Sequence, residues 1–174
     1  MLAYLAGAIE YAPDGGRGWR REIGAFLRDG LAHAVYDPAE DERKSLSEEE
    51  QRNLRAWKTA DLGRFQQAVR KIIAFDLDVV RRADYVVCFW DESGLRGGGT
   101  SAEVTFAHIW GVPVYLVSSL PIQQLSGWVL GCCSEVFRDF AGLKGFLRKR
   151  YAPGAPAEQR AEQPSTRPGA PNEA

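Results

Sequence analysis

Cysteine, histidine and methionine are scarce in this 174-residue chain, at three, two and one residues. An odd thiol count is not a disulfide framework. Cys132 and Cys133 are adjacent, and Cα atoms about 3.8 Å apart across a trans peptide sit too close for relaxed disulfide geometry. With two histidines and no Cys-x-x-Cys, a structural zinc site is not expected. Reduced thiols and a cytoplasmic protein are the expectation. A charge excess is missing too: 22 Lys and Arg oppose 23 Asp and Glu, a net charge of −1. Nothing in that balance draws the chain to nucleic acid or to a membrane surface. No stretch reaches the ~20 apolar residues that span a bilayer. The opening Met-Leu-Ala-Tyr-Leu-Ala-Gly lacks the basic leader and long apolar run of a signal peptide.

What is present is enough for one core. Apolar residues make up 45% of the chain, and its length fits one domain better than two. Residues 2–5 read as a buried strand with a Gly7 turn after it. A turn-rich loop follows, then a helix over 19–31, whose Trp19, Ile23, Phe26 and Leu27 recur at helical spacing. Residues 34–36 make a short strand closed by Asp37 and Pro38. Ser47 and Glu50 fit a capping box. The helix it opens continues, with room for a break, to about residue 82. There Leu62, Phe65, Val69, Ile72, Asp76 and Val80 share one face, and Asp76 is the only carboxylate on it.

Residues 85–90 form a near-continuous apolar run, the pattern of a strand covered on both faces. A loop with four glycines follows, then a helix over 100–110. A strand ending at Val117, a short helix over 120–130, a strand over 135–137 and a helix over 140–151 complete the series. Beyond, residues 152–174 hold five prolines and no aromatic side chain. This Pro/Ala-rich tail is expected to be disordered, because it has too little apolar surface to offset its ordering entropy. The domain is therefore 1–151. Alternating strands and helices imply a doubly wound parallel sheet of about five strands with helices on both faces. Ligands of such sheets bind beyond the carboxyl ends of the strands, where the loops after Leu5, Trp90 and Val117 should converge.

Several residues there suit chemistry. Glu103, in Gly97-Gly98-Gly99-Thr100-Ser101-Ala102-Glu103, should lie in the first turn of its helix, within reach of a ligand. The competing reading is a capping box from Thr100 to Glu103, and spacing alone favours it. Asp76, on its apolar stripe, suits a proton donor whose pKa burial would raise; it equally suits a cap for a new helical turn. The glycine run permits close backbone approach and offers amide donors, but it lacks the Lys-Ser/Thr of a phosphate loop. Tyr4, Tyr11, Trp19, Trp57 and Trp90 are aromatics able to stack on a base. Of these Trp90 is best placed, at a strand end facing the crevice. Asp91 and Glu92 lie at the right end of the sheet. His108, Cys88 and Asp84 read as structural.

Together, Tyr4-Leu5-Ala6-Gly7, the run from Asp76 to Val87, Gly99-Thr100-Ser101-Ala102-Glu103 with Ala107, and Gly111-Val112-Pro113-Val114 resemble the nucleoside 2-deoxyribosyltransferase family, over roughly residues 2–150. That family has a flavodoxin-like, Rossmann-like fold. It includes transferases that exchange bases on deoxyribose and relatives that hydrolyse nucleoside monophosphates. The resemblance implies Glu103 as nucleophile and Asp76 as the residue handling the base and its proton. It places Tyr4, Gly7, Trp90, Asp91, Gly98, Gly99, Thr100 and Ser101 around the substrate. It implies no metal or organic cofactor. The partners would be a nucleoside or nucleotide and a free nucleobase, and the assembly a homo-oligomer. Gly97 and Gly98 stand where many transferases carry an aspartate. The alternatives are a monophosphate N-glycosidase, with Arg17, Ser101 or Arg96 near the phosphate, and a nucleotide-binding module without catalysis.

Overall fold

The computed structural model describes residues 1–41 and 46–151; the expected tail at 152–174 lies outside them. Strand β1 (Leu2–Gly7) leads to helix α1 (Arg17–Ala25), which widens into a π-helical turn (Phe26–Gly30), and then to β2 (Ala34–Tyr36). Helices α2 (Glu48–Ala60) and α3 (Leu62–Arg82) precede β3 (Tyr85–Phe89). The remainder alternates as α4 (Gly98–Ile109), β4 (Val114–Val117), α5 (Gly127–Cys132), β5 (Glu135–Phe137) and α6 (Phe140–Tyr151). The five strands pair in parallel in the order β2-β1-β3-β4-β5. This is the expected doubly wound sheet.

The two-residue period of the strands divides the core. Tyr4, Ala6, Val86, Cys88, Val114 and Leu116 face α3, α4 and α5. Ala3, Leu5, Tyr85, Val87, Tyr115 and Val117 face α1 and α6, where Ile23, Leu27, Leu143 and Leu147 cover them. Both faces are apolar, which is why the strands read as continuous hydrophobic runs.

The long helical segment does break, at Asp61. That residue ends α2 and caps α3, its side chain accepting from the Arg64 amide at 3.0 Å. The Ser47–Glu50 capping box forms as expected, with both reciprocal bonds present. Only the carboxyl half of the α3 stripe reaches the sheet: Val79 and Val80 are core, whereas Leu62 is 59% exposed. Among the described residues no helix is long and apolar enough to cross a membrane.

Candidate active site

The strand order reverses between β1 and β3, so α1 and α4 leave neighbouring strands toward opposite faces. A crevice opens at that switch point. Helix α4 begins at Gly98, two residues before the expected start, with Gly97 as a cap that makes no side-chain bond. Thr100 is thus inside the helix and buried, and Glu103 falls in the second turn. The competing capping box from Thr100 does not form. Instead the Tyr4 hydroxyl donates to Glu103 Oε1 at 2.7 Å. The physical reason is burial. Tyr4 is inaccessible on β1, and a buried phenol must find an acceptor. A carboxylate is the strongest within reach, since charge-assisted bonds are about twice as strong as neutral ones.

Burial, then the charges of Glu103 and Asp76, hold the Tyr4 phenol far above its ordinary pKa. Tyr4 therefore stays protonated and presents a fixed donor to Glu103. That bond fixes the direction of the carboxylate.

Asp76 sits within the unbroken helix α3 and is 8% exposed, so it does not cap a new helical turn. Its Oδ1 accepts from the Tyr36 hydroxyl at 3.1 Å. The same hydroxyl lies 3.2 Å from Asp41 Oδ2. Desolvation first, then Asp76 and Asp41, push the Tyr36 phenol well above its usual pKa. Tyr36 is the register partner of Tyr4 across β1 and β2. Their rings stack with centroids 5.5 Å apart at 25°. Two tyrosines on one face of the sheet thus hold the two carboxylates that sequence reasoning selected.

Arg20, on α1, was not among the expected site residues. It is 1% exposed and pairs with Asp37 at 3.3 Å. It also donates to the carbonyls of Gly7 at 2.7 Å, Gly16 at 3.1 Å and Ala8 at 3.3 Å. Burial pulls the guanidinium pKa down, against the opposing charges of Asp37 and Glu103. The sequence held one signal for it: Arg20, Ile23 and Leu27 recur at steps of 3 and 4, a cation on the stripe that packs the sheet. Arg20 anchors the loop that leaves β1. Gly16 there has φ +69°, and a Cβ on it would collide with Arg20 and the Ala8 carbonyl. Asp14 stiffens the same loop by accepting the amides of Gly16 at 2.8 Å and Gly18 at 2.7 Å, which holds its carboxyl below the usual range.

Beside this loop lies an open cavity of about 170 Å³, walled by Trp19, Phe89, Pro13, Asp14 and Asp91. Asp91 lines it while its Oδ1 accepts the amides of Ser93 and Gly94 at 2.9 and 3.1 Å. From α2, Lys58 reaches across to pair with Glu10 beyond β1.

The other expected residues differ in placement. Trp90 does not open onto the crevice: it is 3% exposed and packs in the core with Tyr4, Cys88 and Val104, because it continues the alternation that turns Val86 and Cys88 inward. Among the described residues its indole Nε1 is buried without a hydrogen-bond partner. Gly7 is buried, and a Cβ there would come 2.8 Å from Trp19 Cζ2 and 3.0 Å from the Phe89 carbonyl. Its missing side chain is explained by packing. Gly97, Gly98 and Gly99 are the opposite case, since among the described residues a Cβ on any of them would meet nothing within 4 Å. Ser101 is half-buried, and its carbonyl accepts from the Thr105 hydroxyl at 2.7 Å.

No protein-family model matches the chain, and no curated protein matches it. Solved structures do. The 2-deoxyribosyltransferase of the psychrotolerant bacterium Bacillus psychrosaccharolyticus superposes with a TM-score of 0.61 at 19% identity, covering 83% of this chain and 90% of that one. The CMP N-glycosidase of Clostridium botulinum superposes with a TM-score of 0.50 at 12% identity, covering 84% of this chain and 97% of that one. The chain therefore has the five-stranded flavodoxin-like α/β fold of these two enzymes, the fold that the sequence resemblance implied.

Proposed function

We propose that this protein cleaves the N-glycosidic bond of (2-deoxy)nucleosides and exchanges the base, through a covalent glycosyl–Glu103 intermediate. The observation that carries the reading is the bond from Tyr4 to Glu103 Oε1 at 2.7 Å, with Asp76 brought to the same face of the sheet. A carboxylate oriented by a phenol that does not ionise is a prepared nucleophile. The two structural neighbours, each named for chemistry on such a bond, support the same class of reaction.

Glu103 attacks the anomeric carbon and the bond to the base nitrogen breaks, its electron pair leaving with the base. Asp76 supplies the proton that the departing base needs. A second base, or water, then displaces Glu103 from the sugar and the configuration is retained. Tyr4 orients the nucleophile. Gly98, Gly99, Thr100 and Ser101 border the substrate at the open start of α4, with Asp91 and Gly7 at the strand ends and Trp90 behind them. The reaction requires neither metal nor organic cofactor. The family resemblance carries with it a cytoplasmic homo-oligomer.

One observation favours a second reading, hydrolysis of nucleoside monophosphates. The start of α4 carries no side-chain cap, and amides at such a helix end suit a phosphate. One experiment separates the two. The protein is incubated with deoxyinosine and free adenine, then with deoxynucleoside monophosphates, and the products are resolved by chromatography. Exchanged nucleoside supports the transferase, and free base from monophosphates alone supports the hydrolase. Inertness toward every substrate leaves a binding module.

A further inference from the structure

Tyr36 ends the three-residue strand β2, and its position is set by the sheet on one side and by rings on the others. It pairs in register with Tyr4, stacks on it at 5.5 Å, and meets Phe75 at 6.0 Å. Its hydroxyl is thereby held between two carboxylates on different elements, Asp76 of α3 at 3.1 Å and Asp41 of the loop after β2 at 3.2 Å. Behind it stand Tyr4 of β1 and, through that phenol, Glu103 of α4.

A hydroxyl has one proton to give and lone pairs to receive with. Between two carboxyl groups it donates to whichever is charged and accepts from whichever is protonated. It needs only a turn about its C–O bond to change roles. Both states of Asp76 then have a partner without any movement of the backbone.

We propose that Tyr36 is a positioning residue for proton delivery to the departing base, its hydroxyl switching from acceptor to donor toward Asp76 as Asp76 gives up its proton. The proposal rests on the N-glycosyl cleavage reading above. In the first half-reaction Glu103 Oε forms a bond to the anomeric carbon, and the carbon–nitrogen bond breaks with its electron pair going to the base. The proton of the Asp76 carboxyl passes to the base, leaving Asp76 as a carboxylate that accepts from Tyr36. In the second half-reaction the incoming base loses its N–H proton to Asp76, and the Tyr36 hydroxyl accepts from Asp76 again. In the state where Asp76 is protonated, the Tyr36 hydroxyl keeps its proton and donates its hydrogen bond to Asp41.

The consequence is specific to the leaving group. A base that is already cationic while attached, such as one methylated at N7, departs as a neutral molecule and needs no proton. The test is Tyr36→Phe, which keeps the ring and its stacking, assayed with 2′-deoxyinosine and with its N7-methylated counterpart. The expected result is a fall in kcat/KM on the order of 10-fold or more with deoxyinosine and under about 3-fold with the methylated substrate. Asp41→Asn gives the same asymmetry, smaller, and serves as the second variant should Tyr36→Phe not fold by circular dichroism. Glu103→Ala loses both substrates alike. Equal losses in Tyr36→Phe, or no loss, overturn the role of Tyr36 while leaving cleavage intact. A wild-type protein that turns over neither substrate overturns the functional reading, and this proposal with it.

Discussion

Tyr4 and Tyr36 face each other across β1 and β2, stack at 5.5 Å, and carry their hydroxyls to different carboxylates, Glu103 and Asp76. A two-residue strand period and one register thus bring the Glu103 and Asp76 carboxylates to the same face of the sheet, although they lie on separate helices.

The first consequence concerns Tyr4. Tyr4→Phe removes the donor that orients Glu103 and leaves the ring in place. Turnover should fall on the order of 10- to 100-fold, chiefly in kcat, with a loss of about 1–2 kcal/mol in unfolding free energy. Steady-state kinetics and urea denaturation read the two effects separately. A large stability loss with unchanged turnover per folded molecule would assign Tyr4 to the core alone.

Arg20 is predicted to be a stability residue first. Arg20→Met leaves Asp37 and the carbonyls of Gly7 and Gly16 without their buried partner. Removing one member of a buried pair costs about 3–5 kcal/mol. The urea midpoint should drop accordingly, and Asp37→Asn should cost less because the amide still accepts. An unchanged midpoint would contradict the anchoring role.

The glycines at the start of α4 separate scaffold from ligand. Among the described residues, no atom beyond the chain neighbours and the helix's own backbone lies within 4 Å of where a Cβ on Gly98 or Gly99 would point. Gly99→Ala should leave the fold as stable or raise it by under about 1 kcal/mol. If substrate approaches that backbone, KM should nevertheless rise on the order of 10-fold, by loss of the close approach that glycine permits. An unaltered KM would remove this segment from the substrate site.

The sheet's opposite end predicts an acid-sensitive fold. His33 is buried, with its Nδ1 2.8 Å from the Tyr85 hydroxyl. Desolvation and the amino-terminal charge pull its pKa below the ordinary 6.5, against Asp84. A histidine whose folded pKa is depressed favours the folded state while it is neutral. That contribution is present above pH 6.5 and is lost as pH falls through the folded pKa. Thermal melts should show Tm falling below pH 6.5 in the wild type and a smaller fall in His33→Gln, whose neutral side chain does not titrate.

Much of this was readable in the chain because periodicity reports burial. The strand from Tyr85 was apolar throughout since both its faces are covered. Asp76 stood out because a carboxylate on an apolar stripe has to be partnered. The start of α4 was misread for a local reason. Thr100-Ser101-Ala102-Glu103 has the spacing of a cap, and spacing cannot report a phenol 99 residues away in sequence that captures the same carboxylate. Tyr36 was invisible in a strand of three residues, where a tyrosine is ordinary. Only the register with Tyr4 gives it meaning. Trp90 was assigned to the crevice by its place at a strand end, whereas the strand alternation sends it into the core.

Glu103 is proposed to bond to the sugar. The measurement is the turnover of deoxyinosine by Glu103→Ala, with the fold verified by circular dichroism. The expected result is a loss on the order of 10³-fold or more, as for removal of other covalent nucleophiles. Full turnover by Glu103→Ala would contradict it.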